Sequence, residues 1–280
     1  MISSGFLVPA VALVAVMLLA PFMWTIWDSL TNDNGSQASF VGVSNYTALV
    51  RDPAFDRSVV NTLLWLVGTL VLPVVLGLAI AVMTSAMPWG KYARSALVLP
   101  YTISGSATAV VWGFILRSDG ALNNALGGLG LSGAQREWLL SWPTNTVIMI
   151  LASTWQATGV NVILFLVGLQ GIPRDTLEAG AVDGATGFRL FRYITLPQLR
   201  AATVVVVGIA LANALKAFDL IWILTQGGPA RSSETLALTM YRETFLLNQY
   251  GYGSAVAVFL TVVVVVASFA YLRRQMPARS

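Results

Sequence analysis

Residues 59–84 read VVNTLLWLVGTLVLPVVLGLAIAVMT, a run of 26 residues that contains no charged side chain. A helix of about 20 apolar residues crosses the ~30 Å hydrocarbon core of a bilayer. Because backbone N–H and C=O groups in lipid must be paired within the segment, this run predicts a transmembrane α-helix. Five other stretches have the same character. The six predicted spans are residues 5–27, 59–84, 96–116, 144–171, 201–224 and 253–272.

The composition of the whole chain agrees with this prediction. Of its 280 residues, 56% are hydrophobic and 10% are charged, whereas soluble domains carry about 25% charged residues. We therefore expect an all-α integral membrane protein, with residues 1–280 forming a single transmembrane domain. The chain contains neither cysteine nor histidine, which excludes disulfides, His-containing catalytic triads and His/Cys zinc sites. We predict no catalytic residue and no metal ligand.

Basic residues are distributed unevenly between the two sets of loops. The loops and tail on the side of residues 172–200 hold nine basic and three acidic residues, whereas the opposite loops hold six basic and eight acidic residues. The positive-inside rule places the more basic side, and with it both termini, in the cytoplasm. The net charge of +4 is thus explained by membrane topology, and we expect no nucleic-acid partner.

The longest cytoplasmic loop, residues 172–200, reads IPRDTLEAGAVDGATGFRLFRYITLPQLR. Its pattern predicts two short amphipathic helices, separated near Gly184, where a glycine suits a helix end with positive φ. Such a loop could bind a soluble partner through a small protruding helical segment. Alternatively, it could be an interfacial helix that only anchors the fold.

Within this loop, Glu178-Ala179-Gly180, Asp183-Gly184-Ala185 and Ile194-Thr195-Leu196-Pro197 resemble the EAA loop of binding-protein-dependent ABC importer permeases. In that family, Glu-Ala-Ala is followed after three residues by Gly and after nine more by Ile-x-Leu-Pro. This chain has Gly180 in place of the second alanine. The resemblance covers nearly the whole chain and is strongest to the carbohydrate-uptake branch. Further matching residues are Asn61-Thr62, Leu99-Pro100, Trp112, Gly120, Leu122-Asn123, Trp155, Phe218-Asp219-Leu220, Thr225-Gln226-Gly227-Gly228-Pro229, Glu234-Thr235-Leu236 and Tyr252-Gly253.

The resemblance implies a type I ABC importer permease bundle, with a cytoplasmic coupling helix, in a prokaryotic cytoplasmic (inner) membrane. The implied partners are a second homologous permease, two copies of a cytoplasmic ATPase and an extracytoplasmic solute-binding protein. ATP and Mg would be bound by the ATPase subunits, since this chain has no Walker-type Gly-x-x-x-x-Gly-Lys-[Ser/Thr] motif. Glu178 would pair with a basic residue of the ATPase. The implied coupling residues are Glu178, Ala179, Gly180, Asp183, Gly184, Leu196 and Pro197.

The resemblance also implies where a substrate would pass. In the related maltose system the sugar is held by the helices that match the fourth and fifth spans. Polar residues within spans suggest function, and we predict that Gln156 and Asn213 contact the substrate, with Ser153 and Trp155 behind them. The alternative is that the Gln156 and Asn213 amides only hydrogen-bond a neighbouring helix. For Lys216 and Asp219 we expect a local pair or snorkelling.

We therefore predict a permease subunit that imports a sugar, namely a disaccharide or an oligosaccharide, delivered by the extracytoplasmic binding protein. A phosphorylated polyol such as glycerol phosphate is the alternative substrate. An ion-coupled secondary transporter would need midplane carboxylates and internal repeats, and the sequence lacks both. The turn at residues 226–229 and the segment 231–251 are either contacts for the binding protein or plain exposed loops.

Overall fold

The computed structural model describes residues 8–9, 11–35, 38–85, 87–214 and 217–275. Lys216 and residues 5–7 of the first predicted span lie outside these ranges. The chain forms two compact units. One unit comprises Met1–Val60 with Glu234–Ala270, and the other comprises Asn61–Ser233 with Tyr271–Ser280.

Most of the described residues are helical, as the apolar stretches predict. The helices are α1 (Val11–Ser29), α2 (Ser44–Arg51), α3 (Pro53–Ser85), α4 (Gly90–Val98), α5 (Gly105–Ile115), α6 (Ala121–Gly128), α7 (Thr144–Gln170), α8 (Arg174–Val182), α9 (Phe188–Gln198), α10 (Arg200–Ala214), α11 (Asp219–Leu224), α12 (Leu236–Tyr241) and α13 (Tyr250–Gln275).

Within the described ranges, four helices are long and apolar enough to cross a membrane, namely α1, α3, α7 and α13. Two bent pairs pass the same test of length and composition: α4 with α5, and α9 with α10. The described part of the chain thus contains six candidate spans when each bent pair counts as one.

The third span differs from the straight helix that the sequence predicts at residues 96–116. A 3₁₀ turn, Leu99–Thr102, follows α4, and the chain bends by 101° before α5 begins. Pro100 lies in this turn and has no N–H group to donate. The Ser104 hydroxyl then accepts from the Ala107 N–H at 3.2 Å and caps the new helix. Proline and cap together explain the break.

The fifth span also differs from its prediction, a single helix over residues 201–224. Helix α10 forms a 70° bend with α9 and is described as far as Ala214. Ala217 and Phe218 are not helical, and the separate short helix α11 begins at Asp219. Asp219 is the first residue of α11, a position where a carboxylate is favoured by the helix dipole.

Glycines allow the two long helices of the larger unit, α3 and α7, to pack closely. A Cβ atom at Gly77 would lie 2.5 Å from the Asn161 Cβ, and one at Gly68 would lie 2.6 Å from Ile150 Cγ2. Small residues permit such close approach between membrane helices, where hydrophobicity does not drive association. Helix α7 is therefore held directly against α3.

The smaller unit packs α2, α12 and part of α13 around a small apolar core. Its buried members are Leu49, Phe55, Leu236, Ala255 and Val256. The same unit contains a fully buried carboxylate, Glu234, which forms an ion pair with Arg242.

Candidate functional site

A cavity of about 330 Å³ lies within the larger unit. It is bounded by α3, the start of α5, α7, the end of α10 and the start of α11. The residues that line it are Trp65, Thr69, Pro73, Gly105, Ser153, Gln156, Ala157, Val160, Asn161, Ile209, Ala210, Asn213, Ala217, Phe218, Asp219 and Leu220.

The structure brings together three of the four residues that the sequence predicts for a substrate path. Ser153, Gln156 and Asn213 all line the cavity, whereas Trp155 is not among the lining residues. Trp155 lies two positions after Ser153, which is roughly 200° around a helix of 3.6 residues per turn. Its ring instead packs edge-on against Trp112, with centroids 6.0 Å apart.

Gln156 has a structural contact as well as a position in the cavity wall. Its Nε2 atom donates a hydrogen bond of 2.6 Å to the carbonyl oxygen of Ile103, at the break between α4 and α5. The interhelical hydrogen bond considered as the alternative role is therefore present for Gln156. This bond satisfies a backbone carbonyl beside the bend.

Asn161 is a lining residue that the sequence marks only as one of several polar residues in the fourth span. It is 3% exposed, yet its amide makes no hydrogen bond to any other residue that the structure describes. By contrast, the Thr154 and Thr158 hydroxyls on the same helix donate to carbonyls one turn earlier. Buried amides are nearly always hydrogen-bonded, so Asn161 is available to a molecule that enters the cavity.

The cavity also has aromatic and charged members that sequence reasoning did not select. Trp65 and Thr69 lie four residues apart on α3, a spacing that places both on one helix face. Phe218 stacks on Trp222 with ring centroids 6.0 Å apart, and Asp219 is an exposed carboxylate in the wall. The i, i+4 spacing of an aromatic and a polar residue in an uncharged span is the sequence signal that could indicate that α3 lines the cavity.

The predicted coupling residues lie on α8, α9 and the turn between them. Glu178, Ala179 and Asp183 are exposed, as is Pro197, while Leu196 is half-buried. Gly184 has a φ of +84° and ends α8, as the sequence predicts.

Gly180 explains the local packing of this loop. It is buried, and a Cβ at its position would collide with the Ile194 side chain on α9. Glycine in place of the family's second alanine therefore lets α8 lie directly against α9. In contrast, Val182 and Phe188 are 88% and 76% exposed, so the outer edge of the turn is apolar and uncovered in this chain.

The turn at residues 226–229 leads into a segment that is tied to the helices by buried polar groups. Asn61 on α3 accepts hydrogen bonds from Trp142 Nε1 (3.0 Å) and Thr146 Oγ1 (3.2 Å). The Asn61 amide also donates to the Ser232 carbonyl at 2.8 Å, and Asn145 donates to the Ser232 hydroxyl at 2.9 Å. At Ser232 this segment is therefore packed against the bundle.

Residues 1–276 match a protein family described as binding-protein-dependent transport system inner membrane component. A probable ABC transporter permease protein of Pyrococcus horikoshii is 34% identical over 271 residues, which are 95% of this chain and 93% of that protein. The alpha-glucoside transport system permease protein of Rhizobium meliloti is 32% identical over 266 residues, covering 93% of this chain and 78% of the relative.

The fold is similar to that of a chain in the crystal structure of a bacterial ABC transporter involved in the import of the acidic polysaccharide alginate. The TM-score is 0.84 at 22% sequence identity, over 100% of this chain and 96% of that chain. This likeness shows the fold alone.

Proposed function

The chain belongs to the binding-protein-dependent transport system inner membrane components, and from that premise we propose that it conducts a sugar through an ABC importer. Membership makes it a multi-pass inner-membrane subunit of an ABC transporter that works with a binding protein and an ATPase. The ATPase binds ATP, and this chain is a permease component without catalytic activity of its own.

The observation that carries the proposal is the Asn161 amide, which lines a cavity of neutral polar side chains and makes no hydrogen bond to another residue that the structure describes. Ser153, Asn213 and Thr69 add hydroxyl and amide groups to the wall. Sugar hydroxyls both donate and accept hydrogen bonds, so amides, which also do both, suit them. The rings of Trp65 and Phe218 add the aromatic surface on which sugar rings pack.

Volume and charge favour a short neutral saccharide. Small-molecule sites span about 300–1,000 Å³, and this cavity of about 330 Å³ lies at the lower end. Among the described lining residues, Asp219 is the one ionisable side chain. A carboxylate repels a phosphorylated polyol, which makes that alternative less favourable. The alpha-glucoside permease relative also supports a sugar.

Stimulation of ATP hydrolysis by substrate-loaded binding protein, measured with the complete transporter in vesicles, tests the cavity. We expect Asn213→Ala to raise the sugar concentration for half-maximal stimulation about 2–10-fold, the equivalent of one lost hydrogen bond. Asn161→Ser should act in the same direction. Asn124→Ala, which removes an exposed amide outside the cavity, is the matched control. Unchanged stimulation in both cavity variants, or stimulation by glycerol phosphate rather than sugar, would contradict the proposal.

We further propose that the α8–α9 turn docks into the ATPase through Glu178, Val182 and Phe188. Glu178 and Val182 lie one turn apart on α8 and share a face. An exposed carboxylate beside exposed apolar side chains can pair with a basic residue while the apolar groups bury surface. The contact between Gly180 and Ile194 makes the turn a compact unit that can transmit motion.

Glu178→Gln tests this docking, with Asp175→Asn as the control that removes the same charge one turn earlier. We expect Glu178→Gln to lower substrate-stimulated ATP hydrolysis severalfold while leaving the amount of folded permease unchanged. The isolated ATPase, which contains no permease, provides the reference rate of basal ATP hydrolysis and should be the same in both preparations. Equal effects of the two substitutions would show that only the net charge of the loop matters.

The orientation and the partner set complete the proposal. We propose that residues 1–280 act as one permease domain with both termini in the cytoplasm, because the basic loops share the side of the coupling turn. The assembled importer would contain a second homologous permease and two ATPase copies, and an extracytoplasmic binding protein would deliver the sugar. A reporter fused to the C-terminus measures on which side of the membrane that terminus lies. The native mass of the purified complex measures how many subunits it contains.

A further inference from the structure

A second, larger cavity of about 570 Å³ lies at the coupling-turn end of the larger unit. The ends of α3 and α7, the middle of α4 and the inner side of α8 and α9 surround it. We refer to this cavity as the Arg94 groove. Its lining residues are Val82, Ser85, Arg94, Leu166, Leu169, Gln170, Ile172, Leu177, Gly187, Leu190, Phe191 and Thr195.

The groove combines an apolar wall with a single cation. Seven of its side chains are aliphatic or aromatic, and Arg94 is the one charged residue among the described lining residues. Arg94 is half-buried, and its Nε atom donates to the Gly90 carbonyl at 3.1 Å. No carboxylate among the residues that the structure describes pairs with it. A partly buried cation without a counter-charge is unfavourable, so Arg94 favours an anionic group beside it.

Aromatic residues place Arg94 near a membrane surface. Trp89 and Tyr92, just before and within the first turn of α4, are 57% and 69% exposed. Exposed Trp and Tyr at the end of a span are typical of the lipid headgroup level. Lys91, in the same turn, adds a second exposed cation. Anionic lipids are concentrated in the cytoplasmic leaflet and attract basic residues there.

We propose that the Arg94 groove binds one anionic phospholipid of the cytoplasmic leaflet. The guanidinium fork of Arg94 would hold the phosphate, since its planar donors match phosphate oxygens. The upper parts of the acyl chains would pack along Leu166, Leu169 and Leu177. This inference rests on the cytoplasmic orientation of the coupling turn proposed above.

A lipid in this groove would contact α8 on the side that carries Leu177. Leu177 faces the groove, whereas Glu178 and Val182 are exposed on α8. Lipid and ATPase would therefore use different faces of one short helix. The lipid would support α8 while the ATPase acts on it.

Native mass spectrometry of the complete transporter tests the proposal. The complex is reconstituted in vesicles of equal phosphatidylglycerol and phosphatidylcholine, extracted into detergent, and its retained lipids are counted. We expect the wild type to retain phosphatidylglycerol preferentially. Arg94→Gln should lower that retention about tenfold, the scale of losing a charge-assisted phosphate contact. Arg189→Gln, which removes an exposed cation outside the groove, should leave it unchanged, and Arg94→Lys should retain more lipid than Arg94→Gln.

Three results of this measurement would overturn the proposal. They are equal retention of the two lipids by the wild type, an equal loss in Arg94→Gln and Arg189→Gln, and full retention in Arg94→Gln. A segment of a partner subunit cross-linked within the groove would do the same. The measurement uses neither sugar nor ATP, so its failure is distinguishable from a failure of the proposed sugar transport.

Discussion

Replacing Gly77 with alanine is the most direct test of the packing that shapes the cavity. Gly77 on α3 lies against Asn161 on α7, and Asn161 lines the cavity. The added Cβ would lie 2.5 Å from the Asn161 Cβ, 3.1 Å from its carbonyl carbon and 3.2 Å from the Val162 nitrogen. Two of these three atoms are backbone, so no side-chain rotation relieves the contact.

The magnitude of the effect follows from these distances. Carbon atoms in contact prefer separations of about 3.5–4.0 Å, so the two helices must move apart by about 1 Å. Overpacking of this kind costs about 1–3 kcal/mol. The same movement displaces the Asn161 amide from its position in the wall. We therefore expect Gly77→Ala to lower both the stability of the permease and the response of ATP hydrolysis to sugar.

Thermal denaturation of the purified complex, together with sugar-stimulated ATP hydrolysis, measures both effects. Gly208→Ala is the matched control, because its methyl group would meet no atom within 4 Å inside α10. Alanine is favoured over glycine in a helix by about 0.5–1 kcal/mol, so this control should be unchanged or slightly stabilised. The close packing of α3 on α7 is refuted if the two variants have the same denaturation midpoint. It is also refuted if the midpoint of Gly77→Ala lies above that of the wild type.

Two further predictions concern polar groups whose burial differs. Glu234→Ala should destabilise the permease by about 3–5 kcal/mol, because it removes the buried carboxylate that pairs with Arg242. Asp119→Asn should change stability by at most about 1 kcal/mol, because its pair with Arg117 is exposed. Equal denaturation midpoints would contradict this contrast. Ser104→Ala should cost about 1 kcal/mol through loss of the α5 cap. Ser104→Thr, which keeps a neutral capping hydroxyl within the span, should restore most of it, and equal midpoints for these two variants would argue against a capping role.

The spans and the coupling turn were accessible from the sequence for a simple physical reason. Lipid offers no hydrogen bonds, so an uncharged run such as residues 59–84 has no alternative to a helix. The motif around Glu178 and the glycine at position 184 predicted a helix end, and the structure has one there. Polar residues in the fourth and fifth spans drew attention to Ser153, Gln156 and Asn213, which share one cavity.

The direction in which each helix faces was decided only by the tertiary structure. In water, an apolar stripe marks the buried side, but in lipid both sides of a span are apolar, and periodicity loses this information. The sequence therefore groups Trp155 with Ser153, although Trp155 lies on the opposite side of α7. The bend at Ser104 had local signals in Pro100 and a capping serine, yet hydropathy averages over them. Which helices meet, and hence that Trp65, Asn161 and Asp219 join one wall, depends on close contacts such as Gly77 with Asn161, which no single segment encodes.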